Sequence, residues 1–150
     1  MTLLANRLDK IFKKLSSENR KAFVSFAVAG FPNEKHSLEF AKTIIDSGVD
    51  IHEIAYPHAE AQADGPIIQM ANIESLKNGI DMDKIISMAK ELRNHNQDVG
   101  LVMMGYLNNI FIYGIEKFAK AVSDIIDGMI IVDLANDVNE YDRITVALQN

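Results

Sequence analysis

The chain has 150 residues, 48% of them hydrophobic and 24% charged, with a net charge of -6 and no cysteine. Its length fits one ordinary domain and its composition a folded chain rather than a disordered one. The acidic balance argues against a phosphate-backbone binder, so no nucleic-acid partner is expected. The lack of cysteine excludes disulfides, thiolate nucleophiles and thiolate metal sites, and suits a cytoplasmic chain.

Residues 3 to 17 set Leu4, Leu8, Ile11, Phe12 and Leu15 on one stripe at helical spacing, which predicts an amphipathic N-terminal helix. The basic run KIFKK at 10 to 14 reads as that helix's solvated face. AFVSFAVAG at 22 to 30 is short, apolar and rich in β-branched and aromatic residues, a buried strand ending at Gly30 and Pro32. Asn33 is placed to cap a helix over 34 to 47 that buries Leu38, Ala41 and Ile45 and stops at Gly48. VDIHEIAYP is the second strand. Helical stretches follow at 67 to 78 and from Asp81, the latter with Ile85, Met88, Ala89 and Leu92 on one face. VGLVMMGY at 99 to 106 is the third strand, YGIEKFAKAVSDI a helix burying Ile115, Phe118 and Val122, and DGMIIVD at 127 to 133 the fourth strand. A last helical segment runs from Val138.

Strands apolar on both faces, separated by helices, imply a parallel sheet covered by helices. The expected class is α/β: about four parallel β/α units behind an N-terminal helix, one domain over 1–150. YDRITVALQN stops in a helical pattern without a closing strand, so a partial (β/α)8 TIM barrel is expected. The histidines, at 36, 52, 58 and 95, contain no i, i+4 pair, and no metal site is expected. No run of eighteen apolar residues suggests a membrane span.

Chemistry concentrates in HEIAYPHAEAQADGP, residues 52 to 66. Strand alternation puts Ile51, Glu53 and Ala55 on one face and His52, Ile54 and Tyr56 on the other. Glu53 is thus a carboxylate among apolar neighbours near the C-terminal end of a parallel strand, where desolvation raises a pKa toward the range of proton transfer and where barrel enzymes place catalytic groups. A buried hydrogen bond or ion pair would explain it equally well. Asp64, ahead of Gly65 and Pro66, reads either as a second functional carboxylate or as a helix cap.

The same stretch resembles the signature of the tryptophan synthase α chain family: a strand-end Glu, then across a loop Asp-Gly-Pro and a helix containing Ile-Gln. Glu53, Pro57, Ala63, Asp64, Gly65, Pro66, Ile68, Gln69, Ala71 and Asn72 fit it. AFVSFAVAGFP is similar to the family's first strand and turn, and MMGYLNNIFIYGIEKF to its third strand, loop and helix. The resemblance implies retro-aldol cleavage of indole-3-glycerol phosphate to indole and glyceraldehyde 3-phosphate, within tryptophan biosynthesis. By position, Glu53 would give and take the proton at indole C3 and Asp64 would hold the indole N–H. Phe26, Ile68 and Met104 would line the indole pocket, although each is also an ordinary core residue. Pro57, Glu60 and Asn108 would lie in loops facing a β chain, which carries pyridoxal phosphate in an α2β2-type complex. No cofactor is expected in this chain.

Ala55 stands where that family usually has glycine, Ala59 replaces a serine or threonine, Ala61 a proline and Gln62 an apolar residue, which predicts a looser or differently packed loop. His58 stands where an aromatic is common and reads as structural. A complete barrel takes ~250 residues and builds its phosphate site after strands seven and eight; here no glycine-rich turn before a helix follows the third strand. Weak or no activity of this chain alone is therefore expected. The alternative is a non-catalytic half barrel that binds a β chain or, through unpaired sheet edges, itself.

Overall fold

The computed structural model describes residues 7–135 together with 144, 146 and 147. Strands β1 (Val24–Val28), β2 (Ile51–Ala55), β3 (Gly100–Gly105) and β4 (Gly128–Ile131) form one parallel sheet in chain order. Around them run α1 (Arg7–Ser17), α2 (Glu34–Asp46), α3 (Pro66–Lys77), α4 (Met82–His95), α5 (Leu107–Tyr113) and α6 (Ile115–Val122). The four expected parallel strands are present, and each of the first three is followed by helix. Leu4 lies outside the described residues, as does most of the helix expected from Val138, of which 144, 146 and 147 are helical.

Local chemistry sets the helix ends. Asn33 accepts from the His36 N–H at 3.1 Å and Asp81 from the Lys84 N–H at 2.9 Å, caps each worth about 1 kcal/mol. Gly48, at φ 94°, ends α2 in the left-handed region. Seven-residue α5 was not expected from the sequence and is closed by Gly114 at φ 96°. On α1, Leu15 is buried as expected, whereas Phe12 is exposed. Leu8 and Ile11 close the sheet's N-terminal end: a β-carbon on Gly100 would lie 2.9 Å from Leu8 and 3.2 Å from Ile11, so the bare backbone there admits α1.

The sheet has two different faces. Toward α2, α4 and α6 it presents Ile54, Tyr56, Leu101 and Met103, which pack with Ala41, Ile45, Leu92 and Phe118 into the main core. Each fully buried large side chain there contributes about 1.5–3 kcal/mol. Tyr56 lies across Gly105, where any β-carbon would overlap the ring. Its hydroxyl has no hydrogen-bond partner among the described residues, and burial pushes its pKa up. On the opposite face a smaller cluster joins Val28, Ala55 and Ala71 with Phe26, Phe31, Ile68 and Met104.

One carboxylate ties three elements together. The Asp127 side chain is 2% exposed, pairs with Arg93 Nη2 at 2.6 Å and Arg7 Nη1 at 3.0 Å, and accepts from the Leu101 N–H at 2.9 Å. Arg93 also donates to the carbonyls of Ile125 and Val99. Helices α1 and α4 are thereby fixed to the start of β3 and β4.

His52 is buried in the main-core face, 2.8 Å from Ser25 Oγ through Nδ1, and desolvation lowers its pKa from 6.5 to about 4. The unfolded chain therefore binds a proton below pH 6.5 that the folded chain refuses until about pH 4. Stability is lost as pH falls through that window, by on the order of 3 kcal/mol from this group. Urea unfolding at pH 7 and pH 4.5 should show the loss, and His52→Gln should reduce the difference between the two pH values. An unchanged difference in that variant would remove His52 as its source.

Candidate functional site

Sheet register places Glu53 between Phe26 of β1 and Val102 of β3, with Ala55 beside Met104 one pleat further along. Glu53 is half-buried on the smaller-cluster face, and desolvation raises its pKa above the ordinary carboxylate value. No described residue hydrogen-bonds or ion-pairs with its carboxylate, so the buried-pair explanation of this residue finds no support. A carboxyl group biased toward its neutral form and left without a partner is chemically available as a proton donor.

Phe26, Ile68 and Met104 come from β1, α3 and β3 and meet in one apolar cluster around Val28, Ala55 and Ala71. They sit on the sheet face that carries Glu53. The methyl of Ala55, where a glycine was noted as usual, is buried in this cluster.

Asp64 does not cap the next helix. The N-cap of α3 is Gly65, and no side-chain cap bond is made. The peptide of Asp64 is held instead: its N–H donates to the Ala61 carbonyl at 3.0 Å, and its carbonyl accepts from Gln69 Nε2 at 2.9 Å. Gln69 Nε2 also donates to the Ala61 carbonyl at 3.1 Å. The carboxylate is therefore not consumed by helix initiation.

Of the two expectations for the loop between Pro57 and Asp64, looser or differently packed, looseness is not what the structure shows: side chains from α3, α5 and the end of β3 pin it. Tyr106 Oη accepts from the Ala63 N–H at 2.8 Å, directly before Asp64. The Tyr106 ring stacks on His58 with centroids 4.7 Å apart. Asn109 Nδ2 donates to the Pro57 carbonyl at 3.1 Å, which leaves Asn109 Oδ1 to accept from His58 Nδ1 at 2.9 Å. Asn72 Oδ1 accepts from the His58 N–H at 2.8 Å. These contacts hold both the backbone and the ring of His58 within the loop.

Tyr106 and Asn109 were missed as positioning residues. Their only signal was a polar tail, YLNN, directly after an apolar strand. Tyr106→Phe leaves the Ala63 N–H without its acceptor, a loss of about 1 kcal/mol. Faster amide exchange at Ala63, with little change in global unfolding, is the expected result; unchanged protection would show that the phenol does not hold the loop.

Of the three residues placed at a partner surface, Glu60 and Asn108 are exposed and Pro57 is fully buried. In this conformation Pro57 offers no surface to another chain; its carbonyl serves as an anchor for Asn109 instead. Among the described residues no group of three or more His, Cys, Asp or Glu side chains could hold a metal ion, and no helix is long and apolar enough to cross a membrane.

A profile of the tryptophan synthase alpha chain family matches residues 12–149. The chain belongs to that family. Solved structures agree with this membership. The tryptophan synthase subunit alpha of Legionella pneumophila superposes with a TM-score of 0.90 at 32% identity, over 97% of this chain and 55% of that one. A structure from Aquifex aeolicus matches with a TM-score of 0.90 at 34% identity, over 96% of this chain and 56% of that one. A Mycobacterium tuberculosis tryptophan synthase structure matches with a TM-score of 0.89 at 26% identity, covering 57% of its chain. The chain thus spans little more than half the length of the tryptophan synthase alpha structures it matches. Its four parallel β/α units are a partial TIM barrel.

Proposed function

We propose that this chain carries the acid–base half of a tryptophan synthase α-type lyase, which cleaves indole-3-glycerol phosphate to indole and glyceraldehyde 3-phosphate. The observation that carries the reading is Glu53: a carboxyl group with a raised pKa and no partner among the described residues, on the sheet face where Phe26, Ile68 and Met104 converge. Protonated Glu53 delivers its proton to indole C3. The C3–C3′ bond then breaks, its electron pair returns to the ring, and the carbinol hydroxyl gives up a proton as it becomes the aldehyde. That proton returns to Glu53, so the carboxyl group ends as it began. Asp64 accepts a hydrogen bond from the indole N–H and stabilises the positive charge that forms on the ring after C3 protonation.

The apolar walls favour an indole ring. The glycerol phosphate needs donors, and no glycine-rich turn before a helix follows β3 in the sequence, so very low turnover is the result expected of the chain alone. Glu60 and Asn108 belong to the surface that meets a β chain, and pyridoxal phosphate resides in that partner rather than here. A cytoplasmic location suits this biosynthetic role. An indole-release assay with and without a tryptophan synthase β chain tests the reading, with Glu53→Gln as the decisive comparison.

A second reading, a non-catalytic half barrel, is favoured by one observation: the outer strands β1 and β4 are partly exposed while β2 and β3 are almost wholly buried. Indole release that is absent under every condition and unaffected by Glu53→Gln selects it.

A further inference from the structure

The basic run KIFKK of α1 reads from the sequence as a solvated helix face. The structure divides its lysines. Lys10 and Lys14, one helical turn apart on the same side of α1, line a cavity of about 610 Å3 between that helix and the loops leading into β2 and β3, whereas Lys13 does not. These loops enter the strands at their N-terminal ends, so the cavity lies at the opposite end of the sheet from the loop that carries Asp64.

The cavity has the makeup of a small-molecule site. Its volume falls in the range of ligand cavities, and such sites pair an apolar lining with a few polar groups that fix orientation. The apolar part here is Ile11 and Leu15 of α1, Ile45 of α2, and Val49 and Val99 ahead of the strands, of which all but Ile11 are buried.

The charges around this floor are not balanced. Arg7 is engaged by Asp127 and by the Gln97 carbonyl. Asp50 is held through both oxygens by Arg20, at 2.8 and 2.7 Å, and also accepts from the Phe23 N–H. Lys14 acts on Asp50 only through its field, adding to the lowering of the carboxyl pKa that Arg20 sets. Among the described residues neither Lys10 nor Lys14 makes a side-chain hydrogen bond or an ion pair. Asp98 is the remaining carboxylate on the wall, and it is exposed. Two ammonium groups thus answer to one solvated acid, which leaves a positive surplus beside a buried apolar floor.

Such a surface selects a small anion with an apolar body. We infer that this cavity binds an amphipathic carboxylate, its apolar part on Leu15, Ile45, Val49 and Val99 and its charge between Lys10 and Lys14. The ligand bridges α1 to the loops before β2 and β3, so it stabilises the folded chain by mass action without touching Glu53. That position suits an effector rather than a substrate. The inference is independent of the lyase reading.

Two probes with one phenylbutyl body separate charge from apolarity. In the 150-residue chain, 4-phenylbutyrate should shift the amide NMR signals of Leu15, Val49 and Val99 saturably, leave those of Phe26 and Met104 in place, and raise the thermal midpoint. 4-Phenylbutylamine should bind at least about tenfold more weakly, because two exposed ion pairs turn from attraction to repulsion. Lys10→Glu with Lys14→Glu should invert that order. Lys10→Gln with Lys14→Gln, which adds no acid beside Asp50, should remove the preference with an unchanged circular dichroism spectrum. Absence of shifts at the three amides, the result given by a cavity that polypeptide fills in solution, overturns the inference. So do equal binding of the two probes to the wild type, an order that charge reversal leaves intact, and a preference for the acid that survives the glutamine substitutions.

Discussion

Glu53→Gln should lower indole release at least about 100-fold, the lower range for loss of a general acid–base group, while making the fold more stable. The two effects share one origin. Desolvation holds the Glu53 pKa above its unfolded value, so the folded chain binds this proton more tightly than the unfolded chain does. The contribution of Glu53 to stability is therefore greatest below the unfolded pKa and declines as pH rises through the folded one. At pH 8 the wild type carries an unpartnered, half-buried charge that glutamine lacks. A gain of about 1 kcal/mol at pH 8, and little at pH 4, is expected from removing such a group. Chemical denaturation at both pH values, run beside the indole assay with a β chain present, measures both halves. A variant that keeps its turnover, or one that is less stable at pH 8, sinks the assignment.

Asp127→Ala should be more damaging than any change at the candidate site. Arg93 is almost fully buried and its charge is answered by Asp127 at 2.6 Å. Removing the carboxylate leaves the guanidinium uncompensated and strips the Leu101 N–H of its acceptor. Breaking a buried pair from one side costs about 3–5 kcal/mol, a large part of the 5–15 kcal/mol available to a typical domain. The variant should be largely unfolded or insoluble at 37 °C. Asp127→Asn, which keeps an oxygen for Arg93, should be intermediate in the same denaturation series. Cooperative unfolding of Asp127→Ala at the wild-type midpoint would show that the node is not structural.

The elements that could be read from the sequence are those whose periodicity lasts long enough to be seen. Ile85, Met88, Ala89 and Leu92 repeat over a fourteen-residue helix, and all four are buried. By contrast α5 is only seven residues long, less than two turns of repeat, and its Asn108 and Asn109 read as loop. Phe12 lies at the right spacing for burial, but α1 covers only the end of the sheet, leaving that side chain outside. Strand alternation sufficed to put Glu53 on the face opposite His52. The convergence of Phe26, Ile68 and Met104 was legible only through resemblance, because each alone is an ordinary core residue and Ile68 reaches the others only once α3 docks on β1. The sequence left Asp64 open between a cap and a functional carboxylate, because only the backbone geometry shows that Gly65 takes the N-cap position. The burial of Pro57 was not legible because its contacts are non-local: its carbonyl is held by Asn109, fifty-two positions away.

Where the Tyr56 ring lies over Gly105, two strands share a single volume that one side chain has taken whole. The two positions are coupled in packing: a side chain at 105 demands a slimmer residue at 56. Adding a side chain at 105 alone makes a clash and trimming Tyr56 alone leaves a void, so any redesign of this layer has to change the pair together.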